Sequence, residues 1–347
     1  MCSSDLSRTA LTQIGTKTWK SVSTGDYHTL AIDTDGYLYA WGSGGSGKLG
    51  LGGTTNQYSP AKVGSKTWAS VSAGSSHTLA IDTDGYLYAW GSGDNGKLGL
   101  GNTTSQYSPF AVGTKTWAVA SAGRDHSLAI DTDGYLYSWG SNTYGQLGNG
   151  GTSSSYSPQM VGTSTWLSVS AGRYHSLGID SSGHLYAWGY NGYGQLGLGD
   201  NTNRYTPTQV GSSTWSSLGQ GLGYNFTLAI DSSGDLYSAG YNSYGGLGNG
   251  TTTNANTLQY IAHPTGGTWG AVAVGDDHSM ALSAAASGFE VILTVDTTAG
   301  TEHVVTVSAN GASDSSPVIT TIHADEVGWI DFRSEERRVG KACRSRW

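Results

Sequence analysis

Short apolar runs, five or six residues long, recur along this chain, with polar turns between them. The first clear pair is Thr29–Asp33 (TLAID) and Tyr37–Trp41 (YLYAW), joined through Thr34-Asp35-Gly36. Asp-Gly between two runs of β-formers predicts a hairpin, because glycine takes a positive φ without steric cost. Apolar residues fall at both parities, as in Leu30, Ala31 and Ile32. A strand with one wet face would alternate, so these runs predict strands covered on both faces. A glycine-rich turn, GKLGLG, follows.

The whole pattern then repeats. Trp19, Trp68, Trp117, Trp166 and Trp215 are 49 residues apart, and Trp269 follows after 54. Each unit has a Trp-led strand, a His-led strand, the turn, an LYAWG-like strand, a polar loop and a short strand ending in Val-Gly. A period near fifty with no helical pattern predicts an all-β fold, a β-propeller of four-stranded blades. Five units are complete, and a sixth stops after Leu282. Ala284–Gly288 then reads as a linker. FEVILTVDTTAGTEHVVTVSA and PVITTIHADEVGWIDF read as the start of a second β domain, truncated, over 284–332.

One unit shows the repeat motif through Gly172, His175, Ser176, Leu177, Gly183, Leu185, Tyr186, Trp188, Gly189, Gly194, Gln195, Leu196 and Gly197. This pattern resembles the regulator of chromosome condensation repeat family, over residues 11–283. The resemblance implies a propeller, usually of seven blades. Seven blades are expected in the parent protein and about six in this fragment, with Leu11–Gly15 as the closing strand of a preceding unit.

Composition matters mainly at the ends. Cys2–Leu6 (CSSDL) and Arg333–Trp347 (RSEERRVGKACRSRW) read like translated adapter DNA, so 1–6 and 333–347 are set aside as artefactual. The propeller is then 7–283. Both cysteines, Cys2 and Cys343, fall in these ends, so redox compartment is not legible. The tail carries +4, which leaves −12 from a total of −8. An acidic body points away from nucleic acid. No apolar run of membrane-spanning length is present, so no membrane partner is expected, and a monomer is. The β character after residue 284 leans towards a secreted or cell-surface protein.

Several motifs look chemical. His28, His77, His126, His175 and His278 are in register, but Phe226 takes the place in the fifth unit. A position that accepts Phe, with no acidic or Cys companion at ligand spacing, reads as a packing histidine and not as a metal ligand. Asp33–Gly36, Asp82–Gly85 and Asp131–Gly134 resemble part of a calcium loop but lack its later Glu, so a hairpin turn explains them better. Gly42–Lys48 and Gly91–Lys97 imitate a phosphate loop, yet Leu49 and Leu98 stand where Ser or Thr is needed and no helix follows. There is no G-x-S-x-G elbow. We expect no cofactor, no metal and no enzymatic centre.

Where the copies disagree, the scaffold does not dictate the residue. The pair before each histidine varies most: Asp26-Tyr27, Ser75-Ser76, Arg124-Asp125, Arg173-Tyr174, Tyr224-Asn225 and Asp276-Asp277. A second variable loop follows Trp-Gly, including Ser141–Tyr144, Tyr190–Tyr193 and Tyr241–Tyr244. Blade symmetry brings equivalent loops to one rim. Tyr and Arg are typical interface anchors, so the first set, Asp26, Tyr27, Arg124, Asp125, Arg173, Tyr174, Tyr224, Asn225, Asp276 and Asp277, is the candidate protein-binding site. The expectation is a non-enzymatic protein-binding scaffold. The alternatives are guanine-nucleotide exchange on a small GTPase, the activity of the resembled family's best-known member, and a carbohydrate-binding or inhibitory propeller.

Overall fold

The structure is a computed structural model and describes residues 13–221, 223, 225–285 and 288–293. Both adapter-like ends, both cysteines, Leu11, Tyr224 and the chain from 294 onwards lie outside the described residues. Those described are almost wholly β, with short 3-10 turns at Gly45–Gly47 and Asp94–Gly96. No helix among them is long and apolar enough to cross a membrane.

Each Asp-Gly turn closes a hairpin. In the first blade β1 (Trp19–Thr24), β2 (His28–Asp33) and β3 (Tyr37–Gly42) pair antiparallel in chain order. The fourth strand is the first half of β4 (Gln57–Ala73). This long strand changes blade midway. Its second half, from Trp68, pairs with β5 (His77–Asp82), which pairs with β6 (Tyr86–Gly91). Gly64, at φ +60°, sits at the bend, where an L side chain would be strained. The third blade follows the same way through β7 (Gln106–Ala122), β8 (His126–Asp131) and β9 (Tyr135–Gly140). The fourth uses β10 (Ser155–Ala171), β11 (His175–Asp180) and β12 (His184–Gly189). The fifth uses β13 (Arg204–Leu218), β14 (Phe226–Asp231), β15 (Leu236–Gly240) and β16 (Ala255–Ile261).

β17 (Thr268–Val274), β18 (Ser279–Ala285) and β19 (Gly288–Leu293) form a separate three-stranded sheet, the sixth blade among the described residues. β18 and β19 pair from Met280↔Leu293 to Ala285↔Gly288. Of the stretch expected as a linker, Ala284 and Ala285 belong to β18, and Ala285 pairs with Gly288. Gly288–Leu293, which falls within the expected second β region, forms β19 and pairs with β18. A free strand edge such as that of β18 accepts a compatible extended segment.

The hydrophobic cores lie between blades. Leu30, Ile32 and Leu38 of the first blade pack on Trp68, Ala80 and Trp90 of the second. Leu79, Ile81 and Leu87 meet Trp117, Ala129 and Trp139 in the same way, and later seams repeat the pairing. Every internal blade thus gives an aliphatic face to one neighbour and an aromatic face to the other, which is why apolar residues appear at both parities. A cavity of about 680 Å³ is lined by Val22, Tyr27 and His28 of the first blade, Ser168 of the fourth, Leu218 of the fifth, and Val272 and Met280 of the sixth, among others.

Candidate functional site

Antiparallel strands put the loop from first to second strand and the loop from third to fourth strand at the same end of a blade. The backbone ties them together: the N–H groups of Ser43, Ser92, Ser141, Tyr190 and Tyr241 donate to the carbonyls of Tyr27, Ser76, Asp125, Tyr174 and Asn225 at 2.7–2.9 Å. Both sets of variable residues therefore share one face.

Beneath this face lies a repeated polar seam. His77 Nε2 meets Ser127 Oγ of the next blade at 3.0 Å, and His126 Nε2 meets Ser176 Oγ at 2.9 Å. Each hydroxyl gives its own proton onward, Ser127 to the Lys97 carbonyl and Ser176 to the Gln146 carbonyl, both at 2.8 Å. The imidazole must then donate from Nε2, and the neutral ring does so when Nε2 carries its one proton. Burial enforces this, pushing His126 down to about 3 and His175 to about 4; burial first and the Lys48 charge second push His28 to about 3. The same carbonyls accept the indoles, Trp139 Nε1 to Lys97 and Trp188 Nε1 to Gln146 at 2.9 Å. In the G-x-x-H motif the glycine is steric: a Cβ on Gly74 would lie 2.5 Å from the His77 ring. The fifth unit replaces His with a buried Phe226 and Trp with Ala239.

The calcium-like turns are occupied by their own backbone. Asp33 Oδ1 accepts the N–H groups of Asp35 and Tyr37, at 3.2 and 2.8 Å, and Oδ2 takes Lys17 at 3.0 Å. Against burial, which pushes it up, these donors hold the Asp33 carboxyl below its ordinary value. No group of three or more His, Cys, Asp or Glu among the described residues is placed to hold a metal ion.

The phosphate-loop lysines are internal ties. Lys97, buried, donates to Ser76 Oγ and to Asp125 Oδ1 of the next blade, both at 2.9 Å. Lys48 occupies the equivalent place, but Ser76 stands where the next blade would supply an acid. Its ammonium lies 5.6 Å from the Tyr27 ring centre, and burial pulls its pKa down against the opposing pull of Asp26.

The candidate residues now separate by role. Asp26 and Tyr27 are exposed, Tyr27 at 74%. Asp26 accepts a hydrogen bond from Ser75 of the next blade at 2.6 Å. Arg124, Asp125, Arg173, Tyr174 and Asp277 are half-buried, and Asp276 is exposed. Asp125 is held by Lys97 and by Arg124 Nε at 3.4 Å. Asn225 departs from the expectation of an open rim residue. It is buried, and Gln195 Nε2 donates to its Oδ1 at 3.3 Å, because the Gln of one blade reaches under the rim of the next. Tyr224 lies outside the described residues.

The structure also gathers round Tyr174 five tyrosines that the sequence left out of the site. Six tyrosines touch in one continuous ladder across the third to fifth blades. Tyr144 meets Tyr174 and Tyr190 at centroid distances of 5.2 and 4.9 Å. Tyr190 leads to Tyr193 at 6.1 Å, Tyr193 to Tyr241 at 5.1 Å, and Tyr241 to Tyr244 at 6.1 Å. Arg124 and Arg173 lie over the Tyr174 ring at 5.4 and 5.2 Å. Asn142, Asn191 and Asn242, all buried, shape these loops by bonding the N–H groups of Leu147, Leu196 and Leu247 and later loop carbonyls. The signal for the ladder was the tyrosine gained in the second loop set from the third unit onwards.

Comparison with known proteins agrees with this architecture. The family model described as the Regulator of chromosome condensation (RCC1) repeat matches residues 35–81, 84–130, 133–179, 182–230 and 233–282. A second model of the same repeat matches 19–48, 68–97, 119–146 and 166–195. No curated protein matches the sequence. Among solved structures, human WBSCR16 is similar at 23% identity, over 76% of this chain and 72% of that one, with a TM-score of 0.69. Prp20p from Saccharomyces cerevisiae, described with its binding to Gsp1p and histones, is similar at 22% identity, over 88% and 76%, with a TM-score of 0.69. Yeast RCC1 (Prp20) bound to Kap60 gives 22%, 76% and 68%, with a TM-score of 0.66. At these identities the structural likeness is one of fold, and the repeat model carries the assignment: the chain belongs to the regulator of chromosome condensation repeat family.

Proposed function

We propose that this chain is a non-enzymatic scaffold that holds a protein partner on the loop face. One observation supports this above the others. The seams repeat the same residues and the same histidine–hydroxyl–carbonyl bonds from blade to blade, whereas the departures from the repeat collect on one face and bring Tyr and Arg there. Interface hot spots are enriched in those two residue types. The similar Saccharomyces cerevisiae Prp20p, described with binding to Gsp1p and histones, supports a protein as the class of partner.

Two variants test the reading. Tyr27→Ala removes an exposed ring from the first blade, and Tyr174→Ala removes the ring under both arginines. Loss of about tenfold or more in affinity for a captured partner is expected from at least one. Capture that is unchanged in both would overturn the assignment to this face. Acceleration of nucleotide release from any member of a small-GTPase panel would overturn the non-enzymatic part.

A further inference from the structure

The tyrosine ladder breaks the symmetry of the propeller. Where the third to fifth blades place Tyr144, Tyr193 and Tyr244, the first two have Ser46 and Asn95. Where the fourth and fifth place Tyr190 and Tyr241, the first three have Ser43, Ser92 and Ser141. The equivalent loops of the first two blades close on a small polar residue, held at a φ of 60° and 59°, so a ring is not required to build a blade. Tyr193 and Tyr244 are 37% and 42% exposed.

The polar groups around the ladder narrow what could lie on it. The carboxylates close by already have partners: Asp125 binds Lys97 and Arg124, and Asp200 binds Arg204, Asn191 and the Thr202 N–H. The loop asparagines use their amides within the loops. A glycan needs acceptors for its many hydroxyl protons, and those acceptors are in use. A nucleic acid needs cations in excess of anions; Arg124 has Asp125 beside it, and the chain is at −8 overall. What remains is a row of flat apolar rings with phenol hydroxyls at their tips.

We propose that the ladder binds an extended, proline-rich segment of the partner in the polyproline II conformation. Proline has no N–H, so such a segment presents carbonyl acceptors and flat pyrrolidine rings, which suit hydroxyl donors and aromatic faces. Two residues of this helix advance about 6 Å. Successive rings along the ladder are 4.9–6.1 Å apart, so the ligand can set one dipeptide against each ring. The segment is already extended when free, which keeps the ordering cost of binding low. This inference rests on the protein-binding reading above and names the chemistry of the partner.

The test uses the full chain and a fluorescein-labelled decaproline peptide, with an alanine–proline–proline repeat peptide and a proline-free peptide of equal length beside it. Fluorescence polarisation should show saturable binding of the two proline peptides only. The double variant Tyr193→Ala/Tyr244→Ala should weaken it by about tenfold or more, and Tyr27→Ala, away from the ladder, by less than about twofold. Tyr193→Ser, which copies Ser46, guards against a folding defect, since the first blade closes with a serine there; it should weaken binding by about threefold or more. The inference is overturned by proline peptides that do not bind, by binding that both ladder variants leave unchanged, or by ladder-dependent binding of chito-oligosaccharides or oligothymidylate instead. Partner capture that survives the double variant but is lost in Tyr27→Ala removes the ladder assignment and leaves the loop-face reading standing. Capture lost in neither removes both.

Discussion

The loop face of the first two blades and that of the third to fifth solve the same closure with opposite materials. In the first pair, Lys48 and Lys97 are buried under glycine-rich turns, with Ser46 and Asn95 held at positive φ of 60° and 59°. In the later blades buried asparagines organise the loop, Gln146 and Gln195 replace the lysines, and tyrosines cover the outside. One half hides charge and the other shows aromatic surface. The seam underneath keeps its histidine, hydroxyl, carbonyl and indole from the first pair into the fourth blade, and only the fifth substitutes Phe226 and Ala239. A repeat fixes what joins one copy to the next, and the face turned away from that joint is free to specialise.

The sharpest way to break the comparison is to attack the shared part. Trp139→Ala removes a fully buried indole and its bond to the Lys97 carbonyl. A loss of about 3–5 kcal/mol is expected from the cavity alone. Denaturant unfolding checks it, and a loss below ~1 kcal/mol would mean the seams do not carry the stability.

Acid comes next. The folded values of His28, His126 and His175 lie at about 3, 3 and 4, and that of His77 lies well below its ordinary value. The unfolded chain takes up these protons near pH 6.5 and the fold does not, so stability is full above that value and falls as the pH drops towards 4. His28, His126 and His175 should each cost about 2 kcal/mol of stability by pH 5. His126→Phe, which copies Phe226, should remove one histidine's share of that slope. Urea midpoints at pH 7 and pH 5 measure it, and an unchanged slope would show that the seam histidines are not held neutral.

The hidden charge gives a smaller effect. Asp125→Asn leaves the Lys97 ammonium buried beside a neutral amide. About 2 kcal/mol should be lost, less than the 3–5 typical of a fully buried pair, because Asp125 is a quarter exposed. Adding Lys97→Gln, the residue other blades use, should restore most of it. A double-mutant cycle by thermal melting decides, and no rescue would mean the lysine is not tied to Asp125. The smallest effect is expected on the shown face: Tyr193→Ser should change stability by less than ~0.5 kcal/mol. A larger loss would make the ladder part of the scaffold.

Much of the fold was legible because the chain carries its own control. Comparing copies marked Asp33–Gly36 as a turn and His28 as packing without any outside alignment, and hydrogen bonds at 2.8 Å from the Tyr37 N–H to Asp33 and 3.3 Å between His28 and Thr78 show how. The end of the repeat was harder. The Gly288–Leu293 run shares no motif with LYAWG, yet it pairs with β18, because a free strand edge accepts any compatible extended segment. The rim was legible as a place and not as a list. Nothing in the Tyr-Asn pair at 224–225 announced that Asn225 would be buried under Gln195.

The sequence by itself determined the blade: strand, turn and seam residues are set by contacts within a unit or at a constant offset to the next, and periodicity displays such contacts. Only the tertiary structure decided which variable residues meet. Tyr174 reaches Tyr144 of the preceding blade, and Tyr193 reaches Tyr241 of the following one, through ring directions that no period encodes. Side-chain packing between non-equivalent positions depends on where each loop aims its ring, and that is fixed only when the blades are assembled.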